Sequence, residues 1–256
     1  MHPADEIRSA LAQVAELRDV ATAQPALQKA LEGIRDFQAR RFECAYADLA
    51  ADRVHGPATA FFLHELYGGK DYARRDGQFA RVAGTLEQTL PMDAVATAAQ
   101  VARLHATSET LDHAMAQAWL DMAPARARAG APVDARSYVA AWRAVGRRDD
   151  RLWQLQTVLS VGQTLSRLTR KKALGWMLRM MHVPAKAAGL GDLHHFLVAG
   201  FDTFGAMATE PGGAAEFLDT IARRESGWIN ALFDDEPRRV QQALERLLAG
   251  PSPPAG

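Results

Sequence analysis

The chain has 256 residues, with 30 Lys plus Arg against 30 Asp plus Glu, a formal net charge of zero, 48% apolar and 23% charged residues. That composition is globular and excludes an intrinsically disordered chain. The absence of surplus cations argues against a nucleic-acid binder that works through bulk phosphate neutralisation.

Read in chain order, nearly every segment has helical periodicity and none alternates at period two, so the predicted fold is all-α: one multi-helix bundle of about nine or ten helices. The first 25 residues read as an N-terminal helical extension. Leu27, Leu31, Ile34, Gln38, Arg41, Ala45 and Leu49 follow the three-four step of a long helix, apolar at most of these positions. His55-Gly56-Pro57 stops it and starts a short helix around Phe61, Phe62 and Leu63 that is apolar around much of its circumference and so predicted to be buried. Asp71 is placed to cap a helix through Phe79, Val82 and Leu86, and Asp93 one that runs to about Asp121. Pro124 to Asp134 reads as a loop, the one plausible boundary in the chain.

Beyond it, Asp134 caps a helix with Tyr138 and Trp142, and a helix through Leu152 to Leu168 leads into another through Met181. Pro184 and Gly189 break the pattern before a helix from Asp192 to about Phe204. The last core helix carries Phe217 to Phe233, ending the bundle domain (26–235). Residues 236–256 read as a peripheral helix and a frayed Pro-rich tail.

The lone Cys44 allows no intramolecular disulfide and fits a reducing compartment. The acidic start, with Asp5, Glu6 and Glu16, does not read as a secretory signal. No window approaches the roughly 18 consecutive apolar residues of a membrane span. A cytoplasmic location is expected, with no membrane and no nucleic acid among the partners.

Three groups of residues carry potential chemistry. In FFLHELYGGKDYARRD (61–76), Asp71 and Arg75 share a helix face, and arginine's planar fork matches a carboxylate. This is either an ion-pair network locking a helix junction or an arginine site for an anionic ligand. In HATSETLDH, His105, Glu109, Asp112 and His113 fall on one helix face, a spacing that suits a transition metal or a solvated polar stripe. His194, with His182 and His195 near it, sits among Phe and Met and is a conceivable haem ligand, although core packing explains the same pattern. No nucleophile elbow and no phosphate-binding Gly-rich loop is present.

The 61–76 segment resembles a family of uncharacterised proteobacterial helical proteins with a Phe-Phe-Leu-x-x-Leu-Tyr-Gly-x-x-Asp-x-x-x-Arg-Asp signature. It is matched by Phe61, Phe62, Leu63, Leu66, Tyr67, Gly68, Asp71, Arg75 and Asp76. The resemblance implies a bacterial domain of unknown function. It groups Asp71, Arg75, Asp76, Asp112, Arg224 and Glu225 in one polar cluster, to which Arg74 is a further candidate. The leading expectation is a non-catalytic module that binds or regulates a protein partner, with no cofactor. The alternative is a metal- or haem-binding helical protein, with enzymatic activity left open, using His105, Glu109, Asp112, His113 or His194.

Overall fold

A computed structural model of the chain describes residues 2–65 and 72–250, so Asp71 and the Leu66–Gly68 part of the 61–76 segment lie outside the described residues. The described residues form helices and no strand. In order they are α1 (Pro3–Ala23), α2 (Pro25–Ala45), α3 (Ala47–Ala51), α4 (Gly56–Glu65) and α5 (Ala73–Thr89). Then come α6 (Met92–Met122), α7 (Pro124–Arg128), α8 (Ala135–Val145), α9 (Arg148–Leu168) and α10 (Lys172–Met180). The last four are α11 (His182–Ala187), α12 (Gly191–Thr209), α13 (Gly213–Asp234) and α14 (Pro237–Leu248).

The predicted nine or ten helices are thus fourteen among the described residues. The excess comes from pieces too short to show a period. α3 and α7 have 5 residues each and α11 has 6, below the 11 or so residues over which periodicity is legible. The predicted loop at 124–134 opens with α7 because Pro124 starts a helix at no hydrogen-bonding cost and Ala127 is fully buried. Pro184 sits within the first turn of α11, where a missing N–H is tolerated. At the start of α8 the local signal matches, the Asp134 carboxylate accepting the Ser137 N–H at 2.7 Å. Asp93, expected to cap α6, instead lies inside its first turn with Pro91 at the N-cap, and Phe61, Phe62 and Leu63 of α4 are half-buried rather than buried.

The 31-residue α6 is the axis of the molecule, about 46 Å long at 1.5 Å per residue. α1, α2, α5, α7, α8 and α9 all pack on it. Three apolar clusters surround this axis. The first joins α2, the C-terminal half of α6, α8, α13 and α14 through Ile34, Phe37, Trp119, Tyr138 and Leu232. The second joins α1, α5 and the N-terminal half of α6 through Ile7, Val14, Phe79 and Ala102. The third joins α3, α4, α12 and α13 through Tyr46, Leu49, Phe204 and Phe217. No helix among the described residues is long and apolar enough to cross a membrane.

Candidate ligand-binding site

Where the three clusters meet, the interior is neither filled nor apolar. A cavity of about 560 Å³ opens there, walled by Leu31, Phe62, Phe79, Tyr138, Trp142 and Phe217 from all three clusters. Into it the helices project Arg18 (α1), Arg35, Gln38 and Arg41 (α2), Arg75 and Asp76 (α5), His105, Glu109, Asp112 and His113 (α6), Arg151 and Gln154 (α9), and Glu225 (α13).

Helical spacing makes α2 and α6 the two charged walls. On α6, His105, Glu109 and Asp112 recur at steps of four and three and so share one face. On α2, Gln38 and Arg41 continue the stripe of Leu27, Leu31 and Ile34, so they point inward with it. Arg35 pairs with Glu109 and sets its Nε 3.9 Å from Asp112, while the Gln38 amide donates to Asp112 at 3.1 Å. Burial pushes the Asp112 carboxyl above its ordinary range, against the charges of Arg35 and Arg151.

A second group binds Glu225. Arg41 grips it with both terminal nitrogens at 3.2 and 2.8 Å, and the Tyr46 hydroxyl donates to it at 2.8 Å. Burial alone would depress the Arg41 guanidinium, but the charge of Glu225 and its hydrogen bonds outweigh burial and raise it further.

A third group surrounds Asp76, which is buried. It meets Arg18 at 3.1 Å, His105 Nε2 at 3.1 Å and Arg75 at 3.5 Å, tying α1, α5 and α6 together. Burial raises this carboxyl, yet the hydrogen bond and charge of His105, with Arg75 and Arg18, bring it below its ordinary value. Arg75 also lies 4.2 Å over the Tyr72 ring and 4.7 Å over Phe196. Across the cavity, Arg151 stacks 4.2 Å over Trp142 and donates to Gln154, which donates to Ser108 at 2.8 Å.

Of the residues singled out from sequence, Arg75, Asp76, His105, Glu109, Asp112, His113 and Glu225 line this one cavity. Arg74 does not; it is exposed and pairs with Asp192 at 2.9 Å. Arg224 also points elsewhere, gripping Asp48 at 2.5 Å and the Ala45 carbonyl at 2.7 Å. His194 lies outside the cavity, its Nε2 2.8 Å from the Leu178 carbonyl and its ring 5.3 Å from that of His182. Among the described residues no three His, Cys, Asp or Glu side chains converge as ligands for a metal ion. On α6, His105 faces Asp76 and Glu109 faces Arg35, and burial of His113 pushes its imidazole down, toward the neutral form.

Arg18, Arg35, Arg41 and Arg151 were not singled out from sequence. For Arg41 and Gln38 a signal existed: two polar residues interrupting an apolar stripe. Arg35 lies one step off that stripe and Arg151 beside a charged turn, where no local pattern marks them.

The chain belongs to the family described as Domain of unknown function (DUF8198), whose model matches residues 17–239. This agrees with the resemblance to an uncharacterised family, and the matched span encloses every charged side chain of the cavity, from Arg18 to Glu225. No curated protein and no solved structure matches the chain.

Proposed function

We propose that this protein binds a small organic molecule in its central cavity, one with an anionic head and an apolar or aromatic body. The carrying observation is the cavity itself, about 560 Å³ and lined with arginines at the meeting point of three apolar clusters. Its size falls in the range of roughly 300–1,000 Å³ typical of ligand pockets. A network that served only to lock helices together would need no void, since interiors close-pack. A charged hole this large instead holds water or a ligand. Arginine forks suit a carboxylate or phosphate, and burial, which disfavours the charged form of Asp112, works in the same direction. The aromatic walls, Tyr138, Trp142, Phe62 and Phe217, suit the body. A protein partner, the leading expectation from the sequence, would meet the outer surface, and the two readings are compatible.

The test combines native mass spectrometry of the purified protein with thermal unfolding against a panel of aromatic and aliphatic carboxylates and phosphates. A ligand at about 100 times its Kd contributes about 2.7 kcal/mol, which raises Tm by roughly 5–10 °C in a chain of this size. Arg35→Met should abolish that rise, and Val158→Phe, which fills the cavity from α9, should block binding while the fold persists. The proposal fails if the panel leaves Tm unchanged and Val158→Phe simply stabilises the protein. Elemental analysis on the same sample adds a further outcome: a stoichiometric transition metal lost on His105→Ala or His113→Ala would transfer the cavity to the metal-binding reading.

A further inference from the structure

The seven large apolar side chains exposed among the described residues are not evenly spread. Trp176, Met180, Met181 and Val183 fall within eight residues of α10 and α11, with Trp176 65%, Met180 59% and Val183 72% exposed. The same stretch concentrates positive charge. Residues 167–191 hold Arg167, Arg170, Lys171, Lys172, Arg179 and Lys186 and no Asp or Glu, in a chain whose total charge is zero. Only two of the six have a carboxylate within 4.0 Å among the described residues: Lys171 on Asp93 and Arg179 on Asp202, each at 2.7 Å.

Helical geometry organises this patch. α10 already spends one face on the body of the protein: Leu174 is buried, and Gly175 lies so close to Phe201 of α12 that a Cβ there would stand 2.8 Å from the ring. Trp176, Met180 and Val183, at steps of four and three, form a second apolar stripe on the outward face. Met181 forms a turn between the two helices with its backbone in the αR region (φ −75°, ψ −2°), so the chain keeps its hand and Val183 carries the row on into α11. Lys172, Arg179 and Lys186 recur every seven residues along the same side. A solvated helix face needs no such stripe; an exposed apolar row framed by cations marks a contact surface.

We propose that the α10–α11 face docks an acidic amphipathic helix of a partner protein. Apolar anchors at steps of three and four are how one helix reads another. Trp and Arg are the residues that most often carry protein-interface energy, and methionine adapts to varied partner side chains. The flanking cations require the partner to be negative, and the row spans only about 10 Å at 1.5 Å per residue, a short patch for holding a lipid surface. This proposal does not depend on the cavity reading.

The experiment is a selection with the full-length chain against a displayed library of amphipathic helical peptides whose non-apolar positions are randomised over Lys, Glu and Gln. The expected winners carry net negative charge and bind with Kd values tighter than about 100 μM. Trp176→Ala should weaken them about tenfold or more, with its Tm unchanged, and a Lys172→Glu/Lys186→Glu double variant should instead select basic peptides. Enrichment of neutral or basic peptides by the parent chain, no enrichment, or indifference to Trp176→Ala would overturn the proposal. So would Trp176-dependent binding to phosphatidylcholine–phosphatidylserine vesicles without peptide selection, which would assign the face to an anionic lipid surface.

Discussion

Glu225 and Asp112 line the same cavity and are held in opposite ways. Glu225 receives both prongs of Arg41 and the Tyr46 hydroxyl, so its charge is answered. Replacing it with Gln strands a buried guanidinium, and breaking such a pair costs about 3–5 kcal/mol. Equilibrium urea unfolding of Glu225→Gln should show that loss, and a change near zero would mean that Arg41 finds another partner. Asp112 receives one amide from Gln38 and a guanidinium edge 3.9 Å away, and burial pushes it up. An acid raised on folding binds its proton more tightly folded than unfolded. The contribution of Asp112 to stability is therefore greatest below the unfolded carboxyl range, about 3.9, and declines as pH rises through the folded value. Asn keeps the acceptor for Gln38 and removes the decline. Asp112→Asn should accordingly be more stable than the parent at pH 7, by on the order of 1 kcal/mol, with the difference narrowing toward pH 4. A variant less stable than the parent at pH 7 would show that the Asp112 charge is stabilising there.

At the scale of helices, the same geometry explains both what the sequence reveals and what it hides. Long helices such as α6 and α9 are legible because apolar residues recur over several turns, whereas α3, α7 and α11 are shorter than one period window. Within a helix the sequence shows which residues share a face, so the row His105, Glu109, Asp112 is readable. Which of two neighbours turns inward is not, because adjacent residues point about 100° apart and the fold alone decides. Arg75 and Glu225 face the cavity while Arg74 and Arg224 face out. Long-range pairing such as Arg41 with Glu225 leaves no local trace at all. Helix approach is similarly invisible until packed. At Gly162 of α9 an added Cβ would stand 2.5 Å from Leu218 of α13, while at Gly227 of α13 it would meet nothing within 4 Å. Alanine gains at most about 1 kcal/mol over glycine inside a helix, and overpacking costs about 1–3 kcal/mol. Gly162→Ala should therefore lower stability by about 1 kcal/mol and Gly227→Ala raise it by roughly 0.5–1 kcal/mol. Denaturant midpoints moving in the same direction for both would mean that Leu218 rotates aside at no cost.

For the molecule as a whole, three apolar clusters meet at a polar centre, so cohesion between them depends on charged joints as well as on burial. Asp76 ties α1, α5 and α6 through Arg18, Arg75 and His105, and Asp48 ties α3 to α13 through Arg224. Asp76 is lowered, and Asp48, chiefly by its hydrogen bonds from Arg224, is lowered to about 2. A carboxyl depressed on folding contributes stability that is present above its unfolded value and lost as pH falls through its folded value. The protein should therefore hold a stability plateau from about pH 8 to 5 and lose it steadily from about pH 4 to 2. Salt separates the contributors. At 1 M NaCl the Debye length is about 3 Å, which screens exposed pairs such as Arg148–Asp234 and Lys171–Asp93 and much of Arg224–Asp48. The buried Asp76 joint is screened far less. The acid transition should consequently persist in high salt in the parent chain and become shallower in Asp76→Asn, whose plateau drops by about 3 kcal/mol. The readout is Tm by calorimetry across pH at low and high salt. If Asp76→Asn keeps the parent's acid slope in 1 M NaCl, the joint between the clusters lies elsewhere and apolar burial along α6 is what holds them together.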